Sequence, residues 1–340
     1  MKKILVTGGA GYIGSHVCKV LSQTGCELVI LDNLSTGYKE AVKWGELIIG
    51  DLGDEKLLSS LFDQYKFHAV MHFAGSIVVP ESVEDPMKYY SNNTVNSQKL
   101  IAKCVEHNVP NFIFSSTAAV YGELKSGLAD ETLTPAPINP YGSSKLMTEM
   151  MLKDTALAHE GFNYVALRYF NVSGADPDLE IGQAFPGATH LIKVASEAAT
   201  GSRDSISIFG TDFDTEDGTG VRDYIHVVDL AKAHLAALNY LEENKKSDIF
   251  NCGYGRGFSV KEVVAAVKEV SGVDFKVHKA SRRAGDPATL ISKVDKIKAN
   301  TNWEPSFGEL RFIVKTALEW EKTSTLKEWK LNRSLKEKNR

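Results

Sequence analysis

Short apolar runs alternate with amphipathic stretches through the first half of the chain. Runs rich in Val, Ile, Leu and Phe lie at 4–7, 27–32, 47–51, 69–73, 112–115 and 163–169. Near-continuous apolarity in pieces this short predicts strands buried on both faces. Helical periodicity fills the intervals at 12–23, 55–65, 87–107 and 140–159. The alternation predicts right-handed βαβ units and a parallel sheet covered on both sides. The second half is less regular, with helical patterns at 191–200, 229–241, 260–270 and 309–322 and strand-like pieces at 206–209, 249–252 and 275–278. The loop 210–220 reads as too polar to be core. No repeat or low-complexity linker separates the halves, so two compact lobes are expected.

Composition narrows the class. A chain of 340 residues holds two lobes of ordinary domain size. With 39 basic and 43 acidic side chains the net charge is −4, which leaves no basic footprint for nucleic acid or an anionic membrane. An apolar content of 43 % excludes extensive disorder. Cys18, Cys26, Cys104 and Cys252 form no CxxC pair and read as reduced thiols, with the cytoplasm as default compartment and no metal site. The start, Met1-Lys2-Lys3-Ile4, looks like a signal peptide, but its apolar run stops at Thr7-Gly8. No segment approaches the ~18 apolar residues of a membrane span.

The first predicted strand runs into Gly8-Gly9-Ala10-Gly11-Tyr12-Ile13-Gly14. Gly8 suits a tight turn, Gly11 lets backbone approach a pyrophosphate at the start of the next helix, and Gly14 lets helix pack on strand. No Lys-Ser/Thr pair follows, so this is not a P-loop. The second strand ends on Asp32, 18 residues after Gly14, where a carboxylate accepts from adenosine ribose hydroxyls. That charge would repel a 2′-phosphate, which favours NAD over NADP. The pattern predicts an α/β, Rossmann-type doubly wound parallel sheet with a smaller mixed α/β C-terminal lobe. Asp51-Leu52, after the third strand, is a candidate adenine contact.

Tyr141 and Lys145 fall four apart on one helix face, after Asn139 as cap and Pro140 as first helical residue. A phenol titrating near pH 10 needs a shift of about three units, about 4 kcal/mol, to act as a base near neutrality. An adjacent ammonium and a nicotinamide cation have the right sign. A second pair, Tyr121 and Lys125, sits among loop glycines and reads as packing. Ser115, Ser116 and Thr117 end the fifth strand, where open parallel sheets bind ligands. Thr117 is the candidate relay between substrate and Tyr141.

Together these segments resemble the nucleotide-sugar 4-epimerase branch of the extended short-chain dehydrogenase/reductase family. The resemblance is carried by Val6–Ser15, His72–Gly75, Tyr90–Asn96, Phe114–Gly122, Pro140–Met147, Arg168–Asn171, Thr215–Val228 and Arg282–Asp286, spanning nearly the whole chain. It implies a retained NAD held by Gly8, Gly11, Tyr12, Ile13, Gly14, Asp32, Asn33, Asp51, Leu52, Phe73, Ala74, Gly75, Asn92, Lys145 and Tyr169. It implies a UDP-hexose substrate oxidised at C4 and reduced on the other face, with Tyr141, Lys145 and Thr117 catalytic. Thr117 and Tyr141 would then touch the sugar, with Leu290 beside it. Arg222 and Arg283 would grip the diphosphate as bidentate forks. Asn171 and His190 would position it, Phe209 would stack on uracil, Asp286 would accept from ribose, and Leu191 and Tyr224 would line the pocket. The corresponding division of the chain is 1–170 plus 225–252 for NAD, 171–224 and 253–332 for the nucleotide sugar, and a frayed tail at 333–340. Members of the family pair the helices expected at 87–107 and 140–159 across a two-fold axis, which implies a homodimer.

Three positions depart from the common pattern. Ile77 stands where many members carry a lysine, His190 where asparagine is frequent, and Leu290 where some carry tyrosine. The last implies room for a 2-N-acetyl group. Rival readings are a 4,6-dehydratase or decarboxylase of the same family, a reductase that releases its nicotinamide, and a non-catalytic NAD sensor. Dehydratases carry an acid pair after the active-site threonine; here Ala118 and Ala119 follow Thr117. A sensor has no need of Tyr141, Lys145 and Thr117 together.

Overall fold

A computed structural model describes residues 1–283 and 286–338, with side chains as far as 334. Its first half runs β1 (Lys3–Thr7), α1 (Tyr12–Ser22), β2 (Glu27–Asp32), β3 (Glu46–Ile49), α2 (Glu55–Gln64), β4 (Ala69–His72), α3 (Val79–Glu84) and α4 (Pro86–Tyr89). A π-helical turn (Tyr90–Val95) leads into α5 (Asn96–Glu106), β5 (Asn111–Ser115), β6 (Leu128–Ala129), α6 (Pro140–Ala158), β7 (Asn163–Tyr169) and β8 (Asn171–Ser173). There follow α7 (Leu191–Ala199), β9 (Ser205–Phe209), β10 (Val221–His226), α8 (Val227–Asn244), β11 (Asp248–Cys252), β12 (Gly257–Ser259) and α9 (Val260–Ser271). The described chain closes with β13 (Lys276–Ala280), β14 (Thr289–Ser292), α10 (Asp295–Asn300), α11 (Leu310–Lys322) and α12 (Ser324–Lys338).

Seven strands form one parallel sheet in the order β11-β7-β5-β4-β1-β2-β3, the doubly wound arrangement expected. Alternate residues of each strand feed different cores. Ile4, Val6, Ile30, Met71 and Val165 pack with Val17 and Leu21 of α1 and Leu230 and Leu241 of α8. Leu5, Val29, Leu31, Val70 and Phe112 pack with Leu58 of α2, Leu100 of α5 and Leu152 of α6. Both faces are buried, which is why these strands read as unbroken apolar runs. Each such side chain contributes roughly 1.5–3 kcal/mol on burial.

The smaller lobe stacks α7, α9 and α11 on β9 and β10. Two buried carboxylates hold it together. Asp223 accepts from the Tyr254 and Gly255 backbone N–H groups, each at 3.0 Å, and from the Ser292 hydroxyl. Asp229 accepts from the Tyr254 hydroxyl and the Phe307 N–H, both at 2.7 Å. One piece of the first lobe's expected span crosses over, because β6 pairs with β14. The polar 210–220 loop is also more built-in than expected. Phe213 and Thr219 are buried, and Asp217 accepts from the Thr219 hydroxyl and N–H at 2.6 and 2.8 Å.

Two expectations need correction. The helix expected over 87–107 is broken, because Asn93 within the π-turn reaches sideways, accepting from Ser76 N–H at 2.7 Å and donating to Ser144 Oγ at 3.0 Å. Opening the helical ladder by one residue aims that side chain, a common use of π-turns at functional sites. The tail expected to fray is helical through Lys338, and residues 339–340 lie outside the described residues. Its helix docks through Trp329, which stacks on Tyr38 at 5.8 Å and meets Trp320 edge-on at 5.3 Å. Among the described residues no helix is long and apolar enough to cross a membrane.

Candidate functional site

The expected cofactor residues cluster along the C-terminal edge of the parallel sheet, in the loops after β1, β2, β3 and β4 and at the end of β7. Gly8 adopts φ +74°, and a Cβ there would lie 2.7 Å from the Ala74 nitrogen, so the loops after β1 and β4 touch. A Cβ on Gly14 would overlap the Gly8 carbonyl, which is how α1 packs so close to β1. Gly11 is the cap position of α1, and neither a capping side chain nor an acid in the first turn satisfies the helix N-terminus. Those free N–H groups, with their partial positive charge, fit a pyrophosphate. A Cβ on Gly11 would meet only the Gly8 carbonyl, at 3.2 Å.

Asp32 is buried, and its two oxygens accept from the Ala10 and Leu34 N–H groups at 2.9 and 2.8 Å. Burial pushes its carboxyl up, and those two donors oppose the shift. Lone pairs remain for ribose hydroxyls. Asn33 donates to Asp51 at 2.8 Å and so joins the loops after β2 and β3. β3 stops at Ile49, which leaves Asp51 exposed in the turn, while Leu52 points into the core. Tyr12 donates to the Gly174 carbonyl at 2.6 Å, tying α1 to the chain after β8, and Ile13 packs against the same core as α1. Phe73 and Tyr169 flank the His234 ring at 4.8 and 6.3 Å. Asn92 donates to Ser76 Oγ at 3.0 Å, just past Gly75.

α6 starts as expected, with Asn139 accepting from Gly142 N–H at 2.8 Å and Pro140 as its first residue. It brings Tyr141 beside Thr117, whose side chain opposes the rise of the phenol. Thr117 also accepts from Ala119 N–H at 3.1 Å, which fixes its side chain at the end of β5. Lys145 is buried, donates to the Ser115 carbonyl at 3.0 Å and lies 4.9 Å from the Phe114 ring centre. Burial pushes this ammonium down to about 8, against the pull of Glu149. The expected lowering of Tyr141 is not found in the protein by itself. Burial raises the phenol, and only the neighbouring Thr117 side chain opposes it. Ser115 also meets the Tyr169 hydroxyl, so its two polar groups join Lys145 and Tyr169.

The smaller lobe supplies a cationic wall. Arg222 is largely buried, and its guanidinium lies 3.9 Å from Asp286, to which Arg283 donates at 2.8 Å. Burial lowers Arg222, Asp286 raises it, and the nearby Arg283 lowers it again. Two guanidinium groups sharing one carboxylate leave one surplus positive charge. Arg222 is not wholly free, since it also donates to the Val221 carbonyl at 2.9 Å. Arg283 lies 5.0 Å over Phe209, an exposed ring at the end of β9. Asn171 stands opposite Tyr224 between β8 and β10, and Leu290 opposite Arg222 between β14 and β10. Leu290 packs against the small core that holds Ala118, Val120, Tyr121, Ala129 and Phe170, part of which is the turn that follows Thr117. His190 precedes α7 with its Nδ1 buried and unbonded, its pKa lowered by burial, and Leu191 packs on the core that contains Tyr224. Of the segment 282–286, residues 284 and 285 lie outside the described residues.

Tyr121 reads as packing in the structure too, buried and bonded to Asn251 at 2.7 Å. Ser115, Asn93 and His234 also stand beside these residues. Asn93 lies within Tyr90–Asn96, but only the π-turn shows that it faces Gly75 and α6. His234 carries no local signal, since a histidine on an apolar helix face looks like ordinary core.

The NAD dependent epimerase/dehydratase family model matches residues 4–253. A UDP-glucose 4-epimerase of Azospirillum brasilense is 52 % identical over 322 residues, covering 94 % of this chain and 92 % of that protein. The solved UDP-Glc/GlcNAc 4-epimerase of Campylobacter jejuni is 53 % identical with a TM-score of 0.84, covering 95 % and 99 % of the two chains. The Brucella ovis UDP-glucose 4-epimerase, solved in complex with NAD, is 44 % identical with a TM-score of 0.90, covering 94 % and 98 %.

The cradle can be tested without the substrate. Gly11→Val places its branches where an anion would sit while meeting little protein. Its melting temperature should stay within a few degrees of the parent, and NAD affinity by calorimetry should fall at least ~10-fold, about 1.4 kcal/mol. Unchanged affinity would remove the pyrophosphate from this loop.

Proposed function

The chain belongs to the NAD dependent epimerase/dehydratase family, and on that premise we infer that it interconverts UDP-glucose and UDP-galactose by inverting C4 of the hexose. The observation that carries this reading is that Tyr141 lies beside Thr117 on the helix that buries the Lys145 ammonium, with two arginines gathered in the smaller lobe. Bound NAD supplies a hydride acceptor at C4 that is restored in each turnover.

The residues supply the rest. Tyr141 takes the proton of the 4-hydroxyl, with Thr117 bridging, as the C4 hydride departs to give a 4-keto sugar. Because burial alone raises the phenol, ionising it near neutrality calls on the Lys145 charge and on the cationic ring of the cofactor. Return of hydride and proton to the opposite face requires the keto sugar to turn over while it stays bound. The grip therefore falls on parts that do not react. Arg222 and Arg283 hold the diphosphate, Asn171 and His190 position it, Asp286 takes ribose hydroxyls and Phe209 takes the uracil face. Binding energy remote from C4 retains the intermediate. A dehydratase needs an acid pair after Thr117, where Ala118 and Ala119 offer no proton.

Leu290 sets the space beside the sugar. An apolar side chain there leaves room for a 2-N-acetyl group, and the similarity to the UDP-Glc/GlcNAc 4-epimerase of Campylobacter jejuni supports acceptance of UDP-N-acetylhexosamines as well. We also place the working form as a homodimer. Exposed Val83, Met87, Val95, Met147 and Met150 lie on α3, α4, the π-turn and α6, elements that pack on one another. A grouped apolar face of this kind on a folded chain marks an interface, and a second copy completes it symmetrically. Four unpaired thiols support a cytoplasmic setting.

Tyr141→Phe should cut epimerisation by roughly 10²–10⁴-fold with NAD content unchanged, read by proton NMR of the sugar anomeric signals and by released cofactor. Near-parental turnover would move the base elsewhere. Leu290→Tyr should abolish turnover of UDP-N-acetylglucosamine and spare UDP-glucose; a parent inactive on the acetylated sugar refutes the pocket reading. Light scattering at micromolar concentration should give about twice the 37.3 kDa chain mass, and Met150→Asp should halve it. A monomeric parent refutes the dimer.

A further inference from the structure

Tyr141, Lys145 and Glu149 follow one another at four-residue spacing along α6, so all three lie on one stripe of the helix. Glu149 is buried, yet every part of its carboxylate is engaged. One oxygen accepts from Arg168 Nε at 3.0 Å and from the Ser116 hydroxyl at 2.5 Å, and the other accepts from Arg168 Nη2 at 2.5 Å. Arg168, also buried, immediately precedes Tyr169 on β7 and lies 4.8 Å over the Tyr121 ring. Ser116 lies between Ser115, whose carbonyl holds Lys145, and Thr117, whose side chain lies beside Tyr141. One carboxylate thus joins the three elements that carry Tyr141 and Lys145, Thr117, and Tyr169.

We propose that Glu149, held in place by its ion pair with Arg168, is a positioning residue for the epimerisation. It locks α6 to the ends of β5 and β7, and it supplies the negative field that keeps Lys145 charged beside Tyr141. The proposal deepens the epimerase reading and rests on it. The groups facing Lys145 leave Glu149 in that role. On α6 they are Tyr141 and Glu149. On β4, His72 is bonded to Thr7 and Ser97 at 2.7 and 2.8 Å and is neutral, with its pKa pushed to about 3 by burial. On β7, Tyr169 is held un-ionised by burial, and Arg168 stands behind Glu149. Tyr164, also on β7, feels the Glu149 charge and is likewise raised by burial. β5 offers the Ser115 carbonyl and the Phe114 face. Among the described residues, Glu149 is the one carboxylate whose charge supports the ammonium.

The test is the pH profile of kcat for UDP-glucose epimerisation in the full-length holoenzyme. In the parent the alkaline limb reports loss of the Lys145 proton. Glu149→Gln leaves the Arg168 charge uncompensated and withdraws support from Lys145. Its alkaline limb should move down by at least half a pH unit, with kcat at pH 7.5 reduced ~10-fold or more. Glu149→Asp, which keeps the charge, and Ser116→Ala, which removes one tether, should lower kcat with both limbs in place. Should Glu149→Gln not fold, the double variant Glu149→Gln/Arg168→Met leaves no buried charge unpaired, and its alkaline limb should still lie below the parent's. Limbs that stay at parental pH in Glu149→Gln or in the double variant, whatever the height of kcat, would overturn the proposal and leave a structural ion pair. A parent that does not epimerise UDP-glucose would overturn the functional reading, and this one with it.

Discussion

A lysine ammonium held out of water is the constraint around which this site is built. Burying Lys145 at the edge of the sheet costs enough to pull its pKa down to about 8, and the surroundings are arranged to keep it charged. The Ser115 carbonyl accepts from it, the Phe114 face lies beneath it, and Glu149 supplies a negative field one turn further along α6. The carbonyl and the ring come from the end of β5, and the carboxylate comes from α6 itself, where Arg168 of β7 grips it. The α6 axis, the end of β5 and the end of β7 therefore have fixed relative positions, and Tyr141, Thr117 and Tyr169 inherit them. Burial keeps the Tyr141 phenol protonated in the protein by itself, so ionising it calls for charge that the filled site brings.

The same division of labour runs through the two lobes. The parallel sheet provides backbone: an uncapped helix start for a pyrophosphate and, at the end of β2, a carboxylate already oriented by two N–H donors. The smaller lobe provides charge, with Arg222 and Arg283 crowded around Asp286. With one carboxylate between two guanidinium groups, this wall keeps one surplus positive charge. Strong holding at that end and an apolar, weakly directional border at Leu290 suit a reaction in which the sugar ring has to present both faces.

Much of this was legible in the residues, for reasons that differ from place to place. The seven-stranded sheet showed because its strands are buried on both faces and flanked by long amphipathic helices. Gly8, Gly11, Gly14 and Asp32 showed because spacing alone dictates their geometry. β6, β8, β12 and β14 did not show, since two to four residues carry too little pattern. The break at Tyr90–Val95 was hidden because a π-turn keeps helical composition and changes only where Asn93 points. The last turns of α12, in the range 333–340 expected to fray, did not show because what docks their helix, Trp329 on Tyr38, is a contact across almost the whole chain. The state of the Tyr141 phenol lay beyond any pattern, because spacing places Lys145 nearby and says nothing of burial.

The central claim is that this chain inverts C4 of UDP-glucose using an NAD that stays on the protein. Proton NMR of UDP-glucose incubated with the purified full-length protein, with no NAD added, tests it most directly. The account predicts growth of the UDP-galactose anomeric signal to a stable ratio with UDP-glucose. An unchanged spectrum, both as purified and after addition of NAD, would contradict it.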